Sequence, residues 1–154
     1  MRSLFLVLAG TVLALAMAWP SPSQAERRVA LIIGNGAYKH APSLPNPSRD
    51  ATAMAALMRN LGFSVVQGND LNKEGMTDTL RKFAAEADNA DVALFFYAGH
   101  GISLEGKNYL LPTDANLKSE LDVRLGAPID VNVVVDQTMS TAKVKLVFLD
   151  ACRD

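Results

Sequence analysis

Thiols and imidazoles are scarce in this 154-residue sequence, which contains one cysteine, Cys152, and two histidines, His40 and His100. A single thiol closes no internal disulfide and supplies no cysteine pair at zinc-ligand spacing, so a disulfide framework and a zinc ribbon are excluded. An excess of charge of one sign is also lacking. Fifteen Lys and Arg face sixteen Asp and Glu, for a formal net charge of −1, and nothing in that balance draws the chain to nucleic acid or an anionic lipid surface. No Gly-x-Ser-x-Gly elbow is present, and Gly34-Asn35-Gly36 lacks the later glycine and lysine that would cradle phosphates. After residue 26 no repeat, low-complexity tract or Pro/Gly/Ser linker divides the chain. It reads as one folding unit of ordinary domain size.

Long apolar runs are missing too, with one exception at the start. Arg2 precedes a nearly uncharged stretch from Leu4 to Ala18, followed by the helix-breaking Pro20 and small residues at Ser23 and Ala25. A positive start, an apolar run short for a bilayer and a small-residue end describe a secretory signal peptide over 1–25, cleaved before Glu26. The expectation is an exported protein, periplasmic or secreted, with no stable membrane anchor after cleavage.

Beyond residue 26 strands and helices alternate. Val29 to Ile33 is a continuous β-branched and aliphatic run, the pattern of a strand buried on both faces. Ala51, Met54, Ala55, Leu57, Met58 and Leu61 recur at helical spacing, with Asn46 or Ser48 placed to cap the helix and Gly62 to stop it. Phe63 to Gln67 predicts a second strand. Met76, Leu80, Phe83, Ala84 and Ala87 define one face of a second helix. Val92 to Ala98 is the most apolar strand of the mature chain and is expected at the centre. Residues 101–128 read as a loop with a small hairpin around Glu105-Gly106-Lys107, Ile129 to Met139 as a β-branched helix, and Lys145 to Leu149 as the last strand. Such alternation implies a mostly parallel sheet with helices on both faces, and ligands of such sheets sit at the carboxyl ends of the strands.

The residues at those ends carry chemistry. Gly99-His100-Gly101 follows the third strand and Asp150-Ala151-Cys152-Arg153 the last. A thiol and an imidazole brought to one sheet edge can form a nucleophile and general base, because the imidazole lowers the thiol pKa and later protonates the leaving amine. The backbone amides of Gly101 and Cys152 are then candidates to hold the oxyanion. Taken singly, Cys152 also fits a structural thiol and His100 a turn residue.

The motif Tyr97-Ala98-Gly99-His100-Gly101, followed 52 positions later by Cys152 within Asp150-Ala151-Cys152-Arg153, resembles the p20 catalytic subunit of caspase-like cysteine peptidases of family C14, bacterial metacaspase-like proteins in particular. Ala30 to Asn35 with Tyr38, Asn46 through Asp50-Ala51, and Leu111-Pro112-Thr113-Asp114 resemble further segments of that family. The resemblance implies an α/β three-layer sandwich around a mostly parallel sheet, with His100 as base and Cys152 as nucleophile of peptide-bond hydrolysis. It also places Asp150, and at a second pocket position Asp50, where a carboxylate would favour Arg or Lys before the cleaved bond and repel Asp. No cofactor or metal is expected. Calcium activates some metacaspases, but Asp114, Glu120 and Asp122 are spread along a loop rather than clustered. Caspase-like domains continue past the nucleophile into a p10 portion, so 26–154 is read as a C-terminally truncated p20 domain. Its last strand would be an open edge for the p10 portion or an oligomer partner, and a catalytically silent binding or scaffold module is the alternative function. The expected partner at the site is a peptide or protein substrate.

Overall fold

The computed structural model describes residues 26–153, the last two by their backbone. The signal-peptide reading falls on 1–25, outside the described residues. No helix among the described residues is long and apolar enough to cross a membrane.

The elements run β1 (Arg28–Gly34), α1 (Pro47–Asn60), β2 (Ser64–Asn69), α2 (Lys73–Ala87), β3 (Val92–Leu104), β4 (Lys107–Leu110), α3 (Glu120–Arg124), β5 (Ile129–Asp130), α4 (Val131–Thr138) and β6 (Val144–Arg153). β3 lies at the centre. Its first half pairs in parallel with β1 on one side and with β6 on the other, and β2 extends the sheet beyond β1. From Gly101 to Leu104, β3 turns to β4 as an antiparallel hairpin, and two residues of β5 complete that small flap. The α/β class and the mostly parallel sheet agree with the expectation from the sequence.

Strand alternation explains the two cores. Val29, Leu31 and Ile33 with Ala93, Phe95 and Tyr97 face Met76 and Phe83 of α2 and Val134 of α4. Ala30 and Ile32 with Leu94, Phe96 and Ala98 face Ala51, Ala55 and Met58 of α1. Both sets are apolar because both faces of these strands are covered, and a strand covered twice shows a continuous apolar run in sequence. Small residues let α1 come close. A Cβ at Gly34 would run into the Pro47 carbonyl and the Ala51 side chain, so glycine there permits the helix to rest on the end of β1.

Several boundaries differ from the sequence reading. Asn46 occupies the N-cap position of α1 without a capping hydrogen bond, its Oδ1 instead accepting from Arg49 Nη2 at 3.1 Å. Pro47 starts the helix with a preset φ and no amide left to satisfy. Ser48 Oγ donates to Asp70 Oδ2 at 3.1 Å. Within 101–128 the hairpin turn forms at Glu105 and Gly106, both at positive φ, and a short helix, α3, appears that the periodicity did not reveal. Ile129 and Asp130 belong to β5 rather than to the helix that follows. β3 and β6 both run past the apolar cores that announced them, to Leu104 and Arg153.

Candidate active site

That last difference moves the site. His100 and Cys152 lie inside paired strands and not beyond their ends, and they are partners in register: Ala98 faces Asp150, Gly99 faces Ala151, and His100 faces Cys152. Neighbouring strands lie about 4.8 Å apart, so the two chemistry-bearing positions are adjacent although 52 residues separate them in sequence. Gly101 is buried, with Leu110 of β4 as one partner and Arg153 of β6 as the other. Position 101 therefore sits between two strands at the point where β3 leaves β1.

The His100 side chain is half-buried and held from the β1–α1 loop. Its Nε2 lies 2.8 Å from the Pro42 carbonyl oxygen. A carbonyl only accepts, so Nε2 carries the proton in this contact and Nδ1 is the basic nitrogen. The Tyr38 ring packs on the imidazole with centroids 4.6 Å apart at 52°.

The main chain of His100 is gripped as well. Its amide donates to Tyr38 Oη at 2.8 Å, and Tyr97 Oη donates to its carbonyl at 2.8 Å. Between the two strand halves Gly99 adopts φ +154°, and a Cβ there would stand 2.6 Å from Tyr38 Oη and 2.7 Å from Tyr97 Oη. Only glycine leaves room for both hydroxyls. Burial pushes both phenols above their ordinary pKa.

Asn35 ties this region to the rest of the fold. It is fully buried, its Nδ2 donates to the Leu111 carbonyl at 3.1 Å, and its Oδ1 accepts from the Leu71 amide at 2.9 Å. Asp70, at φ +51° after β2, accepts from the amides of Gly36 and Ala37 at 2.7 and 2.9 Å. Desolvation pushes the Asp70 carboxyl up, but these amides and the Ser48 hydroxyl together hold it below the usual carboxylate range. The loop bearing Tyr38 and Pro42 is thus pinned at both ends.

Asp50 and Asp150, placed together by the sequence reading, do share a cavity. It measures about 250 Å³ and is lined by Leu44, Pro45, Asn46, Pro47 and Asp50 from the α1 side and by Ala98, Gly99 and Asp150 from the sheet. Asp50 is half-buried and Asp150 exposed, and neither forms an ion pair among the described residues. The acidic residues considered for calcium have local duties: Asp114 Oδ1 accepts from the Lys73 amide at the start of α2, and Asp122 Oδ2 accepts from the amides of Lys118 and Ser119. The residues that the sequence left without a role are Pro42, Tyr38 and Tyr97. Pro42 acts through its carbonyl, which every residue possesses. The tyrosines sat inside recognised motifs, but no spacing rule says that their hydroxyls meet.

Comparison with known proteins gives the family of the chain. The caspase-domain model of peptidase family C14 matches residues 27–154. The mucosa-associated lymphoid tissue lymphoma translocation protein 1 of Homo sapiens is 36% identical over 91 residues, which is 59% of this chain and 11% of that protein. Caspase-1 of Canis lupus familiaris is 36% identical over 77 residues, covering 49% of this chain and 19% of its own length. Caspase-12 of Mus musculus is 36% identical over 81 residues, with shares of 51% and 19%. The matched stretches are thus about a tenth to a fifth of those relatives, while the family model takes in almost every described residue. This chain belongs to the caspase-domain family.

Proposed function

We propose that this domain belongs to a cysteine endopeptidase that cleaves after Arg or Lys, with His100 and Cys152 as the catalytic dyad. The observation that carries the reading is the in-register pairing of His100 with Cys152 directly beside a cavity bearing two carboxylates. In the proposed reaction His100 Nδ1 takes the Cys152 proton and the thiolate attacks the substrate carbonyl carbon. The oxyanion is met by the backbone amides of Gly101 and Cys152, and the imidazolium returns its proton to the leaving amine as the C–N bond breaks. A water molecule then hydrolyses the thioester, with His100 as base, releasing the acid product and the free thiol. Pro42 supports both proton transfers, because its carbonyl stabilises the imidazolium through the Nε2 proton.

The acidic cavity supports the choice of substrate. A guanidinium or ammonium can pair with Asp50 and Asp150, whereas a substrate aspartate would place a third carboxylate among them. Fluorogenic peptides with Arg, Lys or Asp before the scissile bond test this directly. Arg and Lys are expected to exceed Asp by at least about a hundredfold in kcat/KM, and a preference for Asp overturns the assignment. Cys152→Ala and His100→Ala are each expected to lower kcat by at least about a thousandfold. An exported location follows from the leader reading of 1–25, and N-terminal sequencing of the mature protein should begin at Glu26.

A further inference from the structure

The backbone of His100 is held on both sides by a pair of phenols. Its N–H donates to Tyr38 Oη at 2.8 Å, its carbonyl accepts from Tyr97 Oη at 2.8 Å, and the two phenol oxygens stand 3.1 Å apart. The proton directions are fixed by what each group can do. The carbonyls of His100 and Leu111 can only accept, so the single Tyr97 proton goes to them. The Tyr97 oxygen must then receive the Tyr38 proton, and the Tyr38 oxygen receives the His100 amide. One closed ring of hydrogen bonds, all running in the same sense, surrounds a single residue.

This arrangement exceeds what burial of a tyrosine requires. Tyr97 is fully buried, and the Leu111 carbonyl at 3.1 Å alone would satisfy its hydroxyl. Tyr38 is only half-buried and could point its hydroxyl to water. Instead both converge on the backbone of one residue, and the chain accepts a positive φ at Gly99 where a Cβ would collide with them. The loop that supplies Tyr38 also supplies Pro42, so the same segment holds the backbone of His100 through a hydroxyl, one ring face through the Tyr38 ring, and Nε2 through a carbonyl.

We propose that Tyr38 and Tyr97 are positioning residues for His100, fixing its backbone and ring so that Nε2 stays on the Pro42 carbonyl and Nδ1 is kept as the free base. As a statement about catalysis this rests on the peptidase reading above. As a statement about the imidazole it does not, and the experiment separates the two. Tyr38→Phe keeps the ring and removes the hydroxyl; Tyr97→Phe keeps the core volume.

In the full chain, long-range 1H–15N spectra of the His100 imidazole, assigned by their loss in His100→Ala, should report the Nε2–H tautomer in the wild type. In both Phe variants the two tautomers should average, with kcat falling about tenfold and KM staying within about twofold. Should Tyr97→Phe fail to fold, the same comparison is read from Tyr38→Phe. An unchanged tautomer in a folded Phe variant overturns the proposal whether or not kcat falls, because a lower rate would then have another origin. An averaged tautomer with undiminished kcat overturns the catalytic half. An averaged tautomer in a chain that hydrolyses none of the peptides supports the positioning role and counts against the peptidase reading instead.

Discussion

At the scale of single residues, Gly99 and Asp70 do work that their side chains, or the lack of one, make easy to test. Gly99→Ala would drive a methyl group between Tyr38 Oη and Tyr97 Oη at distances below van der Waals contact and keep the chain at an unfavourable φ. The expected cost is about 2–4 kcal/mol, measured by urea unfolding. Asp70 gives a pH signature. Its folded pKa lies below its unfolded value, so its stabilising contribution is present above the unfolded value of about 3.9 and is lost as pH falls through the lower folded value. Asp70→Asn should therefore be less stable than the wild type at pH 7, and thermal melts should show the gap closing toward pH 2–3. A gap that does not change with pH would mean that the carboxylate charge is not what holds the Gly36 and Ala37 amides.

The elements show where local chemistry governs and where it yields. α2 begins at Asn72, whose Oδ1 accepts from the Gly75 amide at 2.8 Å. α1 begins after Asn46, which does not cap at all. The two asparagines thus predict different outcomes: Asn72→Ala should cost about 1 kcal/mol by chemical denaturation, and Asn46→Ala less than about 0.5. The sequence favoured Asn46 or Ser48 as caps because both residue types suit that role. It could not know that Ser48 is drawn to Asp70, a residue brought alongside by the β1–β2 pairing. α3 escaped the periodicity because five residues show barely one turn, although Ser119 and Asp122 at its start were a readable signal. The extension of β3 to Leu104 escaped it for another reason. Its partner there is β4, and an antiparallel flap leaves no continuous apolar run.

For the molecule as a whole, the open side of β6 dominates. Among the described residues β6 pairs only with β3, and Leu146, Val147 and Phe148 are 37%, 38% and 50% exposed. Leu146 and Phe148 extend the apolar surface formed by Met54 and Leu57 of α1 and by Phe63 in the turn that follows it. Among the described residues this ten-residue strand leaves one edge without a partner strand, and in the 154-residue chain by itself such an edge beside apolar side chains favours self-association. Sedimentation velocity across a concentration series should show association in the wild-type chain and its reduction in Leu146→Lys/Phe148→Lys, with a stability loss below about 1 kcal/mol since both sites are already open to water.

The sequence by itself determined the layer pattern, the central place of Val92 to Ala98 and the family, and it singled out His100 and Cys152 as the candidate chemistry-bearing residues. Each of these depends on local periodicity or on residues whose chemistry is intrinsic to their side chains. Only the tertiary structure decided that His100 and Cys152 are register partners within strands, that Asp50 and Asp150 share one cavity, and that Pro42, Tyr38 and Tyr97 converge on the histidine. Those facts depend on strand register, on a backbone carbonyl and on two hydroxyls 59 residues apart. No local pattern encodes such distances; they are set when the sheet and its loops pack together.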